Sequence, residues 1–170
     1  AFDAHPGLVL AASQRELTDA HGKVIMSARG LAHLDGLVSG RVAALASLRA
    51  GTNIFGEPGC VMFRRELLER MGGWDNSHPY LIDQATYTGI MLAGDVLAIR
   101  RPLASFRISS GQWSVRLMRS QSDQAIAFHR ELRRRHPDLV SRGDLMLGNL
   151  RAVLMAMARR AAYLWLRQRM

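Results

Sequence analysis

The sequence predicts an α/β fold, and three observations carry that expectation. Short apolar runs of strand length alternate with amphipathic helical patterns from residue 7 to residue 108. Glycine pairs, an Asp-Ala-His-Gly turn and a Gly-Asp step punctuate those runs where the chain must reverse. From Ser114 the texture changes to long polar helical patterns, so the fold is expected to end in a helical tail.

GLVLAAS (7–13) is a short apolar run closed by Ser-Gln-Arg-Glu, which reads as a buried strand. Asp19-Ala-His-Gly22 then makes a turn, and KVIMS (23–27) is the returning strand. Leu37, Val38, Val42, Leu45 and Leu48 recur at three- and four-residue spacing, predicting a helix over 37–50 that Gly51 stops. Cys60 to Phe63 reads as a strand. Arg64 to Met71 is a short helix with Phe63, Leu67, Leu68 and Met71 on one face and Glu66 spaced to meet Arg70 on the other. Gly72-Gly73 ends it. A helix from about Asp83 turns Ile90, Met91 and Leu92 inward before Gly94-Asp95 reverses the chain. VLAIR (96–100) and LASFRI (103–108) are two further strands. The tail holds a helix over 114–135, with Leu117, Met118, Ala125, Phe128 and Leu132 as its apolar positions. A second helix runs from Asp144 to about Arg169.

Composition bounds the function without naming it. The chain has 170 residues, 48% of them hydrophobic and 22% charged, as an ordinary globular domain does. No apolar run is long enough for a membrane-spanning helix, and AFDAHPGLVL lacks the marks of a signal peptide. Cys60 is the single cysteine, which excludes an internal disulfide and a Cys-x-x-Cys zinc cluster and suits a reducing compartment. The net charge of +9 comes almost wholly from arginine, Lys23 being the one lysine. That balance suits nucleic acid, anionic lipid or phosphorylated ligands alike. Against nucleic acid, no basic cluster is interleaved with stacking aromatics. There is no Gly-x-Gly-x-x-Gly, P-loop, Gly-x-Ser-x-Gly, His-Glu-x-x-His or Asp-x-Asp. His129 and His136, seven apart on a polar helix, read as a solvated pair and not as metal ligands.

One stretch raises a sharper question. GEPGCVMFRRELLERMGGWDNSHPYLID (56–83) sets glycine breaks and carboxylates around one short amphipathic helix. Taken with PYLIDQATYTGIMLAGDVLAIRRPLASFRISSGQWS, it resembles the bacterial family 2 glycosyltransferases of the A-type, nucleotide-sugar-binding fold. The matching pieces are Gly-x-Pro, an apolar stretch, Phe-Arg-Arg, a short helix and Gly-Gly-Trp-Asp. A Tyr before an acid that opens a helix comes next, then Gly-Asp and a strand ending in Phe-Arg. The likeness covers about residues 5–115.

The resemblance implies a partial A-type fold, a mixed sheet with flanking helices. Residues 1–113 would be the acceptor-side half of a catalytic domain, and 114–170 a helical extension. The donor-binding half, with its metal-binding Asp-x-Asp, would lie outside this sequence, so the chain is expected to be a fragment that transfers no sugar alone. It implies an inverting transfer from a nucleotide-sugar donor to a polysaccharide or lipid-linked acceptor, with Mg or Mn in the full enzyme. Asp83 falls on the family's catalytic base, while its residue-level alternative is a helix N-cap. Glu57, Trp74, Asp75 and Arg107 are the donor- or acceptor-binding candidates. Glu57 is equally readable as part of a turn, Trp74 as a half-buried wall, Asp75 as a loop-fixing acid and Arg107 as the partner of a buried acid.

Departures stand beside the matches: Ser109 where the family often has His, Ile82 where Glu is frequent, and Ala85 in place of a second acid. The expected location is the cytoplasm, with peripheral attachment to the inner face of the cell membrane as an option. That option rests on Leu150, Val153, Leu154, Met157, Ala161 and Leu164, an apolar stripe flanked by Arg151, Arg159 and Arg160. The alternative is a tail helix packed on its own domain, and the alternative function is a non-catalytic basic binding module. Exposed sheet edges and apolar surface also predict self-association.

Overall fold

The apolar run after Gly7 does become a strand, but it does not stop at Ser13. In the computed structural model, which describes residues 1–108 and 120–167 (162–167 by backbone alone), β1 runs Leu8–Thr18. Its polar half stays in the sheet because β5 (Asp95–Arg107) pairs with it in parallel along its whole length. Ser13, Gln14, Arg15 and Thr18 are consequently buried. Polarity marks the end of an apolar run but not the end of this strand; in a doubly paired strand polar side chains continue wherever they find partners.

The Asp19 turn forms as expected. Asp19 Oδ1 accepts hydrogen bonds from the His21 and Lys23 backbone N–H groups, both at 2.9 Å. The chain returns as β2 (Val24–Arg29), antiparallel to the second half of β1. β3 (Gly36–Ser39) and α1 (Gly40–Ala50) replace the single helix expected over 37–50. Leu37 and Val38 pair with Leu97 and Val96 of β5, so sheet hydrogen bonds claim the first turn of the helical pattern. Gly40 begins α1 where the backbone is crowded: a Cβ there would stand 1.8 Å from the Met91 carbonyl oxygen.

β4 (Val61–Phe63) pairs antiparallel with the first half of β1. Cys60 lies just before it in a 3-10 turn, Pro58–Cys60. α2 (Arg65–Arg70) ends in paired hydrogen bonds, Gly73 N–H to Leu68 O and Gly72 N–H to Glu69 O, both 3.0 Å, the closure expected of Gly-Gly. The expected Glu66–Arg70 ion pair is not made. Arg65 and Glu69 pair at 2.9 Å, while the Arg70 Nε donates to the Glu66 carbonyl. α3 (Ile82–Met91) comes next, and Ile90 and Met91 are fully buried with Leu92 packed beside them, as the pattern required.

The two strands expected at 96–100 and 103–108 are one strand. Ser13 pairs with Ile99 but Gln14 pairs with Pro102, so Arg100 and Arg101 bulge out and β5 resumes. A bulge is where a strand tolerates proline, because no ladder N–H is needed there. Among the described residues the sheet order is β2-β1-β5-β3, with β4 beside β1, giving a mixed sheet within the α/β class.

α4 (Gln121–Arg135) and α5 (Arg142–Arg167) form the tail. The expected positions 114–119, with Leu117 and Met118, lie outside the described residues, as does Ser109. Ala125, Phe128 and Leu132 of α4 are buried as their spacing predicted. His129 corrects the solvated-pair reading: it is 1% exposed, with Nδ1 3.0 Å from Asn149 Oδ1 of α5. Burial holds its imidazole below the usual histidine range.

Two apolar clusters organise the packing. One joins β1 and β5 to α1 and α3 through Leu10, Phe55, Tyr87, Ile90, Met91 and Val96. The other joins α1 and α3 to the tail through Leu48, Leu81, Ala85, Phe128, Val140 and Ala152. Ala85 thus occupies an apolar seam, which accounts for the absence of an acid there.

The Gly40 contact gives a direct test. Gly40→Ala drives a methyl group into backbone, which cannot yield by rotamer change, so it should destabilise the domain by at least about 2 kcal/mol in urea unfolding.

Candidate functional site

The site begins with an arginine in a strand. Arg15 is 5% exposed, and a guanidinium so buried needs an anionic partner. Glu57 supplies it: Arg15 Nε lies 2.6 Å from Glu57 Oε2, and Nη2 donates to Oε1 at 3.4 Å. The loop that presents Glu57 is fixed by Asn53. Its Oδ1 accepts from the Phe55 and Gly56 N–H groups at 2.9 and 3.2 Å, and its Nδ2 donates to the Gly56 carbonyl at 2.8 Å. Pro58 then tightens the chain so that the Cys60 N–H reaches the Glu57 carbonyl at 2.9 Å.

Glycine is required on both sides of the guanidinium. A Cβ on Gly56 would stand 2.6 Å from Arg15 Nη1, and one on Gly30 would stand 3.1 Å away. Both residues have positive φ, 91° and 112°. Leu31 and Ala32 continue with φ of 61° and 49°, a conformation that costs L-residues about 1–2 kcal/mol each. Burial of Leu31 and its 2.6 Å N–H bond to the Ile54 carbonyl offset that strain. The Gly30 and Gly56 loops therefore clasp Arg15 between them.

Asp83 stands in the first turn of α3. The N-cap position belongs to Leu81, and no side chain caps the helix, so the N-cap reading of Asp83 fails. Burial raises the Asp83 carboxyl to about 6, and the negative charge of Glu57 adds to the rise. One helical turn on, Tyr87 is fully buried, and its phenol is raised by burial and by the charges of Asp83, Cys60 and Glu57. The Cys60 thiol, 3.9 Å from Glu57 Oε2, is likewise pushed up by burial. Glu57, Cys60, Asp83 and Tyr87 thus share one electrostatic neighbourhood. Within this neighbourhood, the Tyr87 hydroxyl and Arg15 Nη1 are buried without a hydrogen-bond partner.

The Gly-Gly-Trp-Asp loop closes the neighbourhood at its side. Trp74 is 40% exposed, the half-buried wall expected, with its ring 6.1 Å from Phe63 and 6.2 Å from Tyr87 between centroids. Asp75 fixes the loop, as its position suggested. Its Oδ1 accepts the Ser77 N–H at 3.0 Å, and its own N–H donates to Thr86 Oγ1 of α3 at 2.9 Å. Burial would raise the Asp75 carboxyl, but the Ser77 hydrogen bonds outweigh it and hold the group below its ordinary value.

Arg107 is placed elsewhere. It pairs in register with Thr18 and is exposed, whereas Arg15 pairs with Ala104, three positions earlier and about 10 Å back along the strand. The charge that acts on Asp83 is that of Glu57. Arg15 is the site residue that sequence reasoning misses. Inside the polar Ser-Gln-Arg-Glu run, only its parallel pairing with β5 reveals it as buried. Tyr87 has a visible signal, since four residues from Asp83 is one helical turn.

Chemically, the cluster offers a carboxylate lifted toward neutrality within reach of a second carboxylate, ionised and paired with a buried arginine. That is the electrostatic arrangement of a general base with a neighbouring hydrogen-bond acceptor. Among the described residues, no group of three or more His, Cys, Asp and Glu side chains converges as metal ligands.

The raised Asp83 carboxyl predicts a stability profile. Its folded value of about 6 exceeds the ordinary 3.8, so the favourable contribution of the protonated form is complete below about pH 4 and lost as pH rises through 6. Asp83→Asn, which stays neutral, should therefore be more stable than the parent at pH 7–8 by about 1–3 kcal/mol. The two proteins should converge below about pH 4. Melting temperatures across that range test this, and a less stable variant at neutral pH would contradict it.

No protein-family model matches the chain, and no curated protein sequence matches it.

Proposed function

We propose that this α/β unit is the acceptor-side part of an inverting glycosyltransferase, with Asp83 as the base that deprotonates the acceptor hydroxyl. The observation that carries the reading is the place of Asp83, a half-buried carboxyl in the first turn of α3 within reach of the charge on Glu57. These two motif carboxylates are 26 positions apart in sequence, and burial, with the Glu57 charge added, raises Asp83 to about 6. A base in that range is largely ionised at neutral pH yet retains basicity, which favours proton transfer in the transition state.

The other residues take supporting roles. Glu57, oriented by Arg15, accepts hydrogen bonds from sugar hydroxyls. The buried Arg15 guanidinium and the buried Tyr87 ring form the floor behind Glu57 and Asp83 and do not themselves touch the ligand. Trp74 offers a half-exposed indole at the rim, a surface on which a sugar face can pack. Asp75 holds that indole in place through α3 and is a positioning residue.

On this reading the nucleotide-sugar donor and its divalent metal, Mg or Mn, are held by residues beyond these 170, since the chain has no Asp-x-Asp. The metal would hold the charge of the departing nucleoside diphosphate. The acceptor is a polysaccharide or a lipid-linked sugar, and the reaction belongs in the cytoplasm. Arg107 remains a candidate for the diphosphate, at the exposed end of β5.

Asp83→Asn in a protein that carries both halves is the decisive variant. Loss of a general base should slow transfer by about a hundred- to ten-thousandfold while donor binding holds within a fewfold. Transfer at close to the parent rate would remove Asp83 from the mechanism and direct attention to Glu57 or Asp75. The 170-residue chain alone should show no turnover; robust transfer by it would contradict the division of the site.

A further inference from the structure

α5 packs on the domain with a face that the apolar stripe does not occupy. Asp144, Gly148, Ala152 and Ala156 form its buried row, each four residues after the last. Small side chains there allow a close approach: a Cβ on Gly148 would stand 2.6 Å from the Leu48 carbonyl oxygen of α1. The opposite face is apolar and outward. Met146 is 73% exposed, Leu150 60%, Val153 38%, Leu154 49% and Met157 51%. At about 100° per residue these five span an arc of about 100°.

Charge borders that arc on both sides. Arg142 and Arg160 lie on one margin and Arg151 on the other, all three exposed, with Arg151 Nη1 donating to the Arg49 carbonyl at 3.2 Å. The only acid of the helix, Asp144, is turned inward, where it pairs with Arg49 at 2.6 Å and accepts hydrogen bonds from Ser141. The outward half of α5 is therefore an apolar strip between positive margins, with no negative charge from its own helix.

We propose that this face of α5 lies in the surface of a membrane rich in anionic lipid, parallel to the bilayer plane. The strip is wide enough to enter the acyl boundary, and arginines at its margins can extend to phosphate headgroups while their stems cover apolar surface. From Met146 to Met157 it is about 16 Å long, short of a hydrocarbon core of about 30 Å. Among the described residues, no helix is long and apolar enough to cross a membrane. A second copy of the chain fits less well. Two such faces in contact would bring arginine margins together, and neither helix has an outward acid to pair with them. The inference is independent of the transferase reading, though a lipid-linked acceptor would be met at the same surface.

The test uses the 170-residue chain and sedimentation with vesicles. It should bind phosphatidylglycerol–phosphatidylcholine vesicles at least tenfold more tightly than phosphatidylcholine alone. Release is expected as salt approaches about 1 M, where screening shortens to about 3 Å. Leu150→Glu should reduce binding at least tenfold with an unchanged melting temperature. Should that variant melt lower, Met146→Gln, at the most exposed position, takes its place with the same expected direction. Equal binding to both vesicle types, no binding to either, or retained binding by the variant with parent-like melting would each overturn the proposal. A dimer seen in sedimentation equilibrium and abolished by Leu150→Glu, without vesicle binding, would assign the face to a second copy and overturn it equally.

Discussion

The burial of one guanidinium constrains the rest of the site. Arg15 sits where β1 is held between β5 and β2, with almost no access to water. A charge in that position must be matched, and leaving it unmatched would cost about 3–5 kcal/mol. Glu57 is the match, so the loop over 53–60 cannot wander, and the glycines at 30 and 56 are where the chain yields room. The consequence is electrostatic: a carboxylate fixed to satisfy Arg15 is also fixed as a negative neighbour of Asp83. The ion pair that organises the loop thereby holds a negative charge that adds to the effect of burial on Asp83.

Asp83 bears the cost of that arrangement. A carboxylate in the first turn of a helix is ordinarily favoured by the helix dipole. Here desolvation and Glu57 act in the opposite sense and prevail, leaving the group raised to about 6. A site shaped for stability alone would place an amide or an apolar residue at this position. A carboxyl raised in this way costs α3 stability at neutral pH, the pattern met where a group is held ready for proton transfer.

The elements are legible in the sequence where one local signal dominates. Gly72-Gly73 ends α2, the Asp19 turn forms on its own side-chain hydrogen bonds, and the apolar spacing of α3 and α4 finds the buried positions. Legibility fails where a distant strand supplies what local sequence lacks. β1 continues through Ser13–Glu16 because β5 pairs there, and Leu37–Val38 leave the helical pattern because β5 offers an edge. Of the site, Asp83, Glu57, Trp74 and Asp75 are visible in motif order, and the fold places them around α3 and its neighbouring loops. Arg107 is drawn in by the same order but stands further along β5. Arg15 and the burial of His129 depend on which elements pack together, information that spacing alone does not contain.

The tail shows the same dependence in its packing. An amphipathic helix is ordinarily read with its apolar stripe inward, since burial of large side chains drives docking. α5 reverses this because its inner row can approach α1 closely. Gly148, Ala152 and Ala156 gain backbone proximity in place of side-chain volume, and the Asp144–Arg49 pair anchors the start of the helix. Leucines and methionines are then left over on the outer face. An apolar face of that kind would ordinarily be a liability for solubility. Bordered by arginine, and with the one acid turned inward, it is an apolar strip between positive margins.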